Sequence, residues 1–302
     1  MAGMPVTGSY FRPIRANIAG VLVGDDQPPR VMAVINVSPE SFYQGSVARG
    51  AEEIAERAEA AERLGASFID VGGRSTAPYK ETDIPLEEEI RRVVTAIRII
   101  KENTSVKAPV SVDTFSARVA EEALRAGADI VNDVTGLKAD QGMARVVAEY
   151  GVPVIIAAHE DFVPENANPL AVVMKALWES IEIAKRSGID DEKIAIDPAI
   201  GFFRPRNPPW YQWDSVILAN LHVLRSFNKP ILVGASRKSF IGAITGRERP
   251  EDRLWGSIAA AAIAVYNGAH IIRAHDVAET RDAVILAKYI AEQRIRSPYK
   301  GC

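Results

Sequence analysis

The stretch PVSVDTFSARVAEEALRAGADIVNDV, running from Pro109 to Val134, holds one whole structural repeat. Pro109–Asp113 is short and mostly apolar rather than alternating, as a parallel strand covered on both faces should be. Ala117–Ala126 follows with helical composition. Gly127 supplies the left-handed residue that ends such a helix, and Asp129–Asn132 starts the next strand. Strand, helix, glycine and strand in 26 residues predict a βαβ unit.

Outward from this stretch the unit recurs along the chain. Further strands are predicted at Val31–Asn36, Phe68–Gly72, Pro153–Ala158, Ile194–Asp197, Ile231–Gly234 and His270–Ala274. Helices are predicted at Ala51–Leu64, Leu86–Lys101, Gln141–Tyr150, Leu170–Ser187, Asp214–Phe227, Arg253–Asn267 and Ala278–Gln293. The first puts Ile54, Ala58, Ala61 and Leu64 on one face, and the second does the same with Ile90, Val93, Val94, Ile97 and Ile100. Gly65, Gly151, Gly188 and Gly268 close helical runs as Gly127 does.

Eight strands alternating with eight helices allow a closed barrel or a doubly wound open sheet. The polar residues choose between them. Asn36, Asp113, Asn132, Asp133, His159, Asp197, Ser236, Arg237, Lys238, Arg273 and His275 all fall at or just beyond strand C-terminal ends. A closed barrel gathers all of those ends at one mouth, whereas an open sheet gathers only those near its switch point. The expected fold is therefore an α/β (β/α)8 TIM barrel over residues 31–302. Residues 1–30 are read as a short N-terminal extension, with a small hairpin across the barrel bottom.

Composition narrows the function classes. The 302 residues carry 36 Lys+Arg against 39 Asp+Glu, a formal net charge of −3. That balance argues against a protein built to coat nucleic acid or a membrane surface, so no nucleic-acid and no membrane partner is expected. The 47% apolar and 25% charged fractions are those of an ordinary globular protein. The single cysteine, Cys302, excludes an intramolecular disulfide framework and a cysteine zinc site, and points to a reducing compartment. Met1–Arg15 lacks the apolar core of a signal peptide, and Ile258–Tyr266, the most apolar stretch, is about half the length of a membrane span. A cytoplasmic protein is expected.

The mouth holds acids and cations drawn from different strands, which suits a small molecule with two chemical ends. A carboxylate such as Asp197 can accept paired N–H donors from the edge of a 2-amino-amide ring. Arg273 and His275, two apart, can donate to phosphate oxygens, and Asn36 can offer an amide oxygen to a metal-bound phosphate. Plainer readings stand beside these. Asp113 is equally placed to cap the following helix, and Ser236–Lys238 can be a solvated turn. Asp70 and Asp129 are read as satisfying local backbone and are left out of the site. His222 is read as a surface or packing histidine, and His270 as lying early in the last strand. Neither a GxxxxGK[ST] loop nor a GxGxxG turn is present, and the HExxH and GxSxG motifs are absent too.

Seven segments, in order, resemble one family. They are Val34-Ile-Asn-Val-Ser-Pro-Glu-Ser-Phe42, Ile69-Asp-Val-Gly-Gly-Arg-Ser-Thr-Ala-Pro78, Ser111-Val-Asp-Thr114, Ala128-Asp-Ile-Val-Asn-Asp-Val134, Ile196-Asp-Pro-Ala-Ile-Gly-Phe202, Gly234-Ala-Ser-Arg-Lys-Ser-Phe240 and Ile272-Arg-Ala-His-Asp-Val277. The chain resembles the dihydropteroate synthases of the pterin-binding barrel superfamily, with loops closer to archaeal members. The resemblance implies joining of 4-aminobenzoate, or a related arylamine, to 6-hydroxymethyl-dihydropterin diphosphate with release of diphosphate. It implies that Asp113, Asn132, Asp197 and Lys238 bind the pterin, and that Asn36, Arg273 and His275 hold diphosphate with Mg2+, Asn36 being the metal ligand. Lys238, Arg273 and His275 are the expected catalytic set, and Thr76, Pro78 and Ser236 the arylamine contacts. Family members are usually dimers through late helices, so a homodimer is expected.

Departures cluster in loops: Arg74 and Ala77 after the second strand, Glu40 and Tyr43-Gln44 after the first, Ala199, Phe203 and Arg204 after the sixth, and Glu160-Asp161 beside His159. Two other readings share the pterin pocket. One is a methyltransferase passing a methyl group from a reduced pterin to a corrinoid protein, and the other is a non-catalytic pterin-binding protein.

Overall fold

Short apolar segments separated by amphipathic helices bury both faces only when the strands run parallel and the helices wrap outside them. The computed structural model describes residues 12–39, 43, 45, 47–48, 50–75 and 84–296, without the side chains of 294–296. In it, eight parallel strands lie in the order β8-β7-β6-β5-β4-β3-β10-β9. They are β3 (Arg30–Asn36), β4 (Phe68–Gly72), β5 (Val110–Asp113), β6 (Ile130–Asp133), β7 (Val154–Ala157), β8 (Ile194–Asp197), β9 (Leu232–Val233) and β10 (Ile271–Ala274). A bridge from Ile196 to Ile231 joins β8 to β9 and completes the ring. The chain folds as the expected (β/α)8 barrel.

Register matters more to the site than the ring itself. Asn36 pairs with Gly72, Gly72 with Asp113, and Asp113 with Asn132, so four strand ends stand in one tier. Asp70 lies two residues below Gly72 on the same face of β4, because side chains alternate along a strand. Of the helices outside, α1 (Ala51–Arg63), α2 (Leu86–Asn103), α3 (Ala117–Arg125), α4 (Met143–Tyr150) and α5 (Pro169–Arg186) match the predicted segments closely. Gly65, Gly127, Gly151, Gly188 and Gly268 all have positive φ, as their position after a helix requires.

Two later elements differ from expectation. The helix predicted over 214–227 starts earlier, as α6 (Trp210–Ala219), and breaks at Asn220 into a 3-10 stretch, Leu221–Phe227. Its N-terminal residue follows Pro209, which fits helix starts, and aromatic residues there masked the helical period. A short helix, α7 (Ser239–Thr245), follows the Ser236–Lys238 turn and was not expected; α8 (Leu254–Tyr266) and α9 (Val277–Arg296) then follow as predicted. No helix among the described residues is long and apolar enough to cross a membrane.

The bottom of the barrel is closed by a hairpin, β1 (Arg15–Ile18) and β2 (Val21–Gly24). Its Ile18 and Val23 pack with Met32, Phe68, Ile130, Ile155, Leu232 and Ile271, the lower residues of six strands. Burying side chains of this size contributes roughly 1.5–3 kcal/mol each. Asp25 fastens the hairpin: its carboxylate accepts the Ile14 amide at 2.7 Å and two Arg225 nitrogens at 2.6 and 2.8 Å. His270 Nδ1 accepts the Ile231 amide at 3.1 Å, which leaves the ring proton on Nε2, 3.3 Å from Asp25. His270 thus lies at the start of the last strand, away from the mouth, as the sequence suggested.

Candidate active site

The barrel's upper tier would be costly if its charges were unpaired, since an isolated buried ion is strongly disfavoured. Arg273, at the end of β10, resolves this by donating sideways to two acids. Its Nε meets Asp70 at 2.6 Å and its Nη2 meets Asp113 at 2.7 Å. Asp70 also accepts Asn132 Nδ2 at 3.2 Å. Asp70 was set aside as a local backbone partner; fully buried, it is instead the hub joining β4, β6 and β10. Asp113 does not cap the following helix, because Ser116 occupies the N-cap of α3. Burial pushes the Asp113 carboxyl up to about 7, while Arg273 favours the charged form and Asp70 and Glu89 add to the rise. One oxygen each of Asp70 and Asp113 is buried without a hydrogen-bond partner among the described residues. Buried acceptors of this kind are normally satisfied, so both suit ligand N–H donors.

The second half of the site is the loop after β8. Asp197 Oδ1 accepts the Ala199 amide at 2.7 Å, which leaves its other oxygen for a ligand. Burial raises the Asp197 carboxyl, with Lys238 opposing. Lys238 lies across this loop, its Nζ donating to the Ile200 carbonyl at 2.5 Å and sitting 4.3 Å from the Phe202 ring centroid. Burial lowers the Lys238 ammonium to about 8, partly offset by Asp197. Asp113, Asn132 and Asp197 are buried, Lys238 is half-buried, and the Lys238 charge acts on both Asp113 and Asp197.

His275 forms the third element. Ser236 Oγ accepts the His275 amide at 3.2 Å and lies 3.0 Å from His275 Nδ1. The hydroxyl can donate its proton to Nδ1, and in that tautomer the ring proton lies on Nε2 as a donor. Burial, helped by Arg273, Arg237 and Lys238, depresses His275 to about 3, so the ring is neutral near pH 7. The Tyr43 ring meets His275 edge-on, with centroids 5.2 Å apart. Ser236, expected beside the arylamine, thus also contacts His275 through its hydroxyl.

Other expected mouth residues hold the frame. Asp133 accepts the Thr135 amide and hydroxyl and the Leu137 amide, at 2.7 to 2.9 Å, so it shapes its own loop rather than a ligand site. Arg237 pairs bidentately with Asp276 at 2.7 and 2.9 Å and donates to the Pro250 and Glu251 carbonyls. It anchors the loop below α8. Asp129 does accept a backbone amide, though not a local one: Val110 on the neighbouring strand donates at 2.7 Å, and Lys101 Nζ pairs with the same oxygen at 2.5 Å. His222 is exposed, on the 3-10 stretch. Thr76 and Pro78 lie outside the described residues.

Beside these groups opens a cavity of about 450 Å3, walled by Phe115, Val134, His159, Phe202 and Arg204 among others. His159 joins the cavity rim, 3.1 Å from Asp161. Asn36 Oδ1 lies in the upper tier, near where a Cβ on Gly72 would stand. Among the described residues no cluster of three or more His, Cys, Asp or Glu could hold a metal ion. The Asn36 amide oxygen suits a hydrated hard cation carried in by an anionic substrate, which is how Mg2+ commonly binds.

Comparison with known proteins agrees with this geometry. The family model described as pterin binding enzyme matches residues 32–275. Dihydropteroate synthase of Clostridium beijerinckii is 37% identical over 264 residues, covering 87% of this chain and 94% of that protein. The structure of the Coxiella burnetii dihydropteroate synthase with pteroic acid superposes with TM-score 0.81 at 33% identity, over 93% of this chain and 99% of that one. The Xanthomonas albilineans dihydropteroate synthase with 4-aminobenzoic acid gives TM-score 0.80 at 36% identity, over 95% and 99%. The chain belongs to the pterin binding enzyme family, among its dihydropteroate synthases.

Proposed function

We propose that this transferase joins 4-aminobenzoate, or a related arylamine, to 6-hydroxymethyl-dihydropterin diphosphate and releases diphosphate. The observation that carries the reading is Arg273, which binds Asp113 on the pterin side and lies two residues from His275 on the anion side. Asp113, Asn132 and Asp197 accept from the ring N–H and amino edge, and Lys238 donates to the opposite carbonyl or ring nitrogen. Asn36, Arg273 and His275 hold the diphosphate. Thr76, Pro78 and Ser236 belong to the arylamine side.

The methylene C–O bond breaks with its electron pair leaving on the diphosphate oxygen. The aniline nitrogen supplies the pair for the new C–N bond and then loses a proton to water or to diphosphate. An aniline is nucleophilic while neutral, so the reaction needs no strong base. Charge builds on the leaving group, where Arg273 and the neutral His275 Nε2–H donate to it. Mg2+ beside Asn36 would neutralise part of the same charge.

A homodimer fits the apolar face that α8 and α9 leave exposed, which includes Trp255, Ile263, Leu286 and Tyr289. A cytoplasmic location and a single barrel unit over 31–302 complete the reading. The test is incubation with the pterin diphosphate, Mg2+ and 4-aminobenzoate, reading diphosphate and product mass. Equimolar diphosphate and a coupled product support the transferase. Tight pterin binding with no release for any arylamine would leave the non-catalytic reading standing, and methyl transfer to a corrinoid would favour the methyltransferase.

A further inference from the structure

Asp214 is a fully buried carboxylate outside the expected site, carried on α6. Its Oδ1 accepts the Gly201 amide at 2.8 Å, while Oδ2 has no hydrogen-bond partner among the described residues. Its chain neighbour Trp213 packs against Phe203, with ring centroids 5.3 Å apart. A buried acid with one oxygen unpartnered is expensive unless donors and charges nearby compensate it.

The neighbour it serves is the loop that cradles Lys238. Ile200 accepts the Lys238 ammonium through its carbonyl, and Phe202 lies under the same nitrogen. Between them Gly201, at φ +83°, faces the lysine stem so closely that an added Cβ would stand 2.7 Å from Lys238 Cδ. Three consecutive residues thus define where Lys238 points, and the middle amide is fixed by Asp214. On the far side, Arg204 ties the loop to α7, its Nη2 donating to Ser239 Oγ at 2.8 Å. Burial raises the Asp214 carboxyl to about 6, and the Gly201 amide, Lys238 and Arg204 pull the other way.

We propose that Asp214 is a positioning residue for pterin binding: by fixing the Gly201 amide it sets the Ile200 carbonyl and aims the Lys238 ammonium at the ring. This rests on the pterin-binding assignment of Lys238. A purely structural Asp214 would affect stability and both substrates alike, whatever residue occupied 238.

The test is a double-substitution cycle. Affinity for 6-hydroxymethylpterin and the separate KM values for pterin diphosphate and arylamine are measured for wild type, Asp214→Ala, Asp214→Asn, Lys238→Ala and the Asp214→Ala/Lys238→Ala pair. Asp214→Ala should weaken pterin binding by about tenfold or more, the scale of a lost charge-assisted bond, with arylamine KM within about twofold. Asp214→Asn keeps an acceptor oxygen and should stay within about threefold of wild type. In the Lys238→Ala background, Asp214→Ala should add little. Wild-type affinity in Asp214→Ala, equal loss in Asp214→Asn, or a fully additive loss in the pair would each overturn the proposal. If Asp214→Ala does not fold, Asp214→Ser, too short to reach the amide, replaces it. A wild-type chain that binds no pterin would sink the functional reading itself, whereas wild-type binding with an unaffected Ala variant would sink only this inference.

Discussion

Asp70 Oδ2 accepts Arg273 Nε at 2.6 Å, across 203 residues of sequence, and so ties the second barrel strand to the last. Removing the acid takes away one of the two carboxylates that Arg273 donates to and leaves Asp113, with Asp197 further off, to balance its charge. Asp70→Ala should cost about 1–3 kcal/mol of stability, the scale of a lost charge-assisted hydrogen bond, because Asp113 still pairs with Arg273. It should also lower kcat/KM for pterin diphosphate by about 100-fold, because Arg273 is no longer held on the leaving group. Urea unfolding and steady-state kinetics check the two effects; unchanged kcat/KM would show that Asp70 has no part in the site.

Lys238 and His275 should separate binding from turnover. Lys238→Ala raises the KM for pterin diphosphate, whereas His275→Ala chiefly lowers kcat, by about 100-fold, the scale of one lost donor to a developing anion. The pH dependence follows from their charge states. Lys238, lowered by burial to about 8, binds as the ammonium, so pterin affinity falls as pH rises through that value. His275, depressed to about 3, stays neutral from pH 5 to 9 and contributes no limb near 6.5. A limb near 6.5 that disappears in His275→Ala would contradict its neutral-donor role.

The hairpin clasp should fail in acid. Partial burial would raise the Asp25 carboxyl, but hydrogen bonds from Arg225, His270 and the Ile14 amide outweigh it and hold the group well below the usual range. A depressed folded-state pKa stabilises the protein above the unfolded value near 4, and that contribution is lost as pH falls below it. Asp25→Asn should therefore be less stable than wild type at pH 7, with the difference shrinking towards pH 3. Unfolding midpoints at the two pH values measure it, and a difference independent of pH would refute the clasp.

Ala19 turns the same hairpin at φ +49°, followed by Gly20 at +89°. A two-residue turn with both φ positive favours Asn-Gly, because alanine pays for the left-handed region without a compensating hydrogen bond. Ala19→Asn should raise stability by about 0.5–1 kcal/mol and leave turnover unchanged. Denaturant unfolding reads the gain.

The barrel was legible because its strands are apolar runs of four to six residues with glycine-marked helix ends between them. The convergence of Asn36, Asp113, Asn132, Asp197, Lys238, Arg273 and His275 followed from their shared position at strand ends. Asp70 escaped notice because an acid inside a strand reads as local when its partner is distant. Period-two alternation with Gly72 and Asp113's tier was the signal that placed it inward. Asp133 and Arg237 lie at the mouth as expected, but position there does not tell whether a charge faces a ligand or a backbone. Thr135 two residues after Asp133 marked a side chain folding onto its own loop, but no short-range pattern linked Arg237 to Asp276, 39 residues on. Asp214 was invisible because a single acid on a helix declares no partner until the loop it holds is in place.

The central claim is that this barrel breaks a carbon–oxygen bond and sends diphosphate away. It is tested most directly with 6-hydroxymethyl-dihydropterin diphosphate carrying 18O in the bridge between carbon and phosphorus, incubated with 4-aminobenzoate and Mg2+. The account predicts that all of the label leaves with diphosphate while the pterin carbon gains nitrogen. Label retained in a pterin alcohol would mean phosphorus–oxygen cleavage and would contradict it.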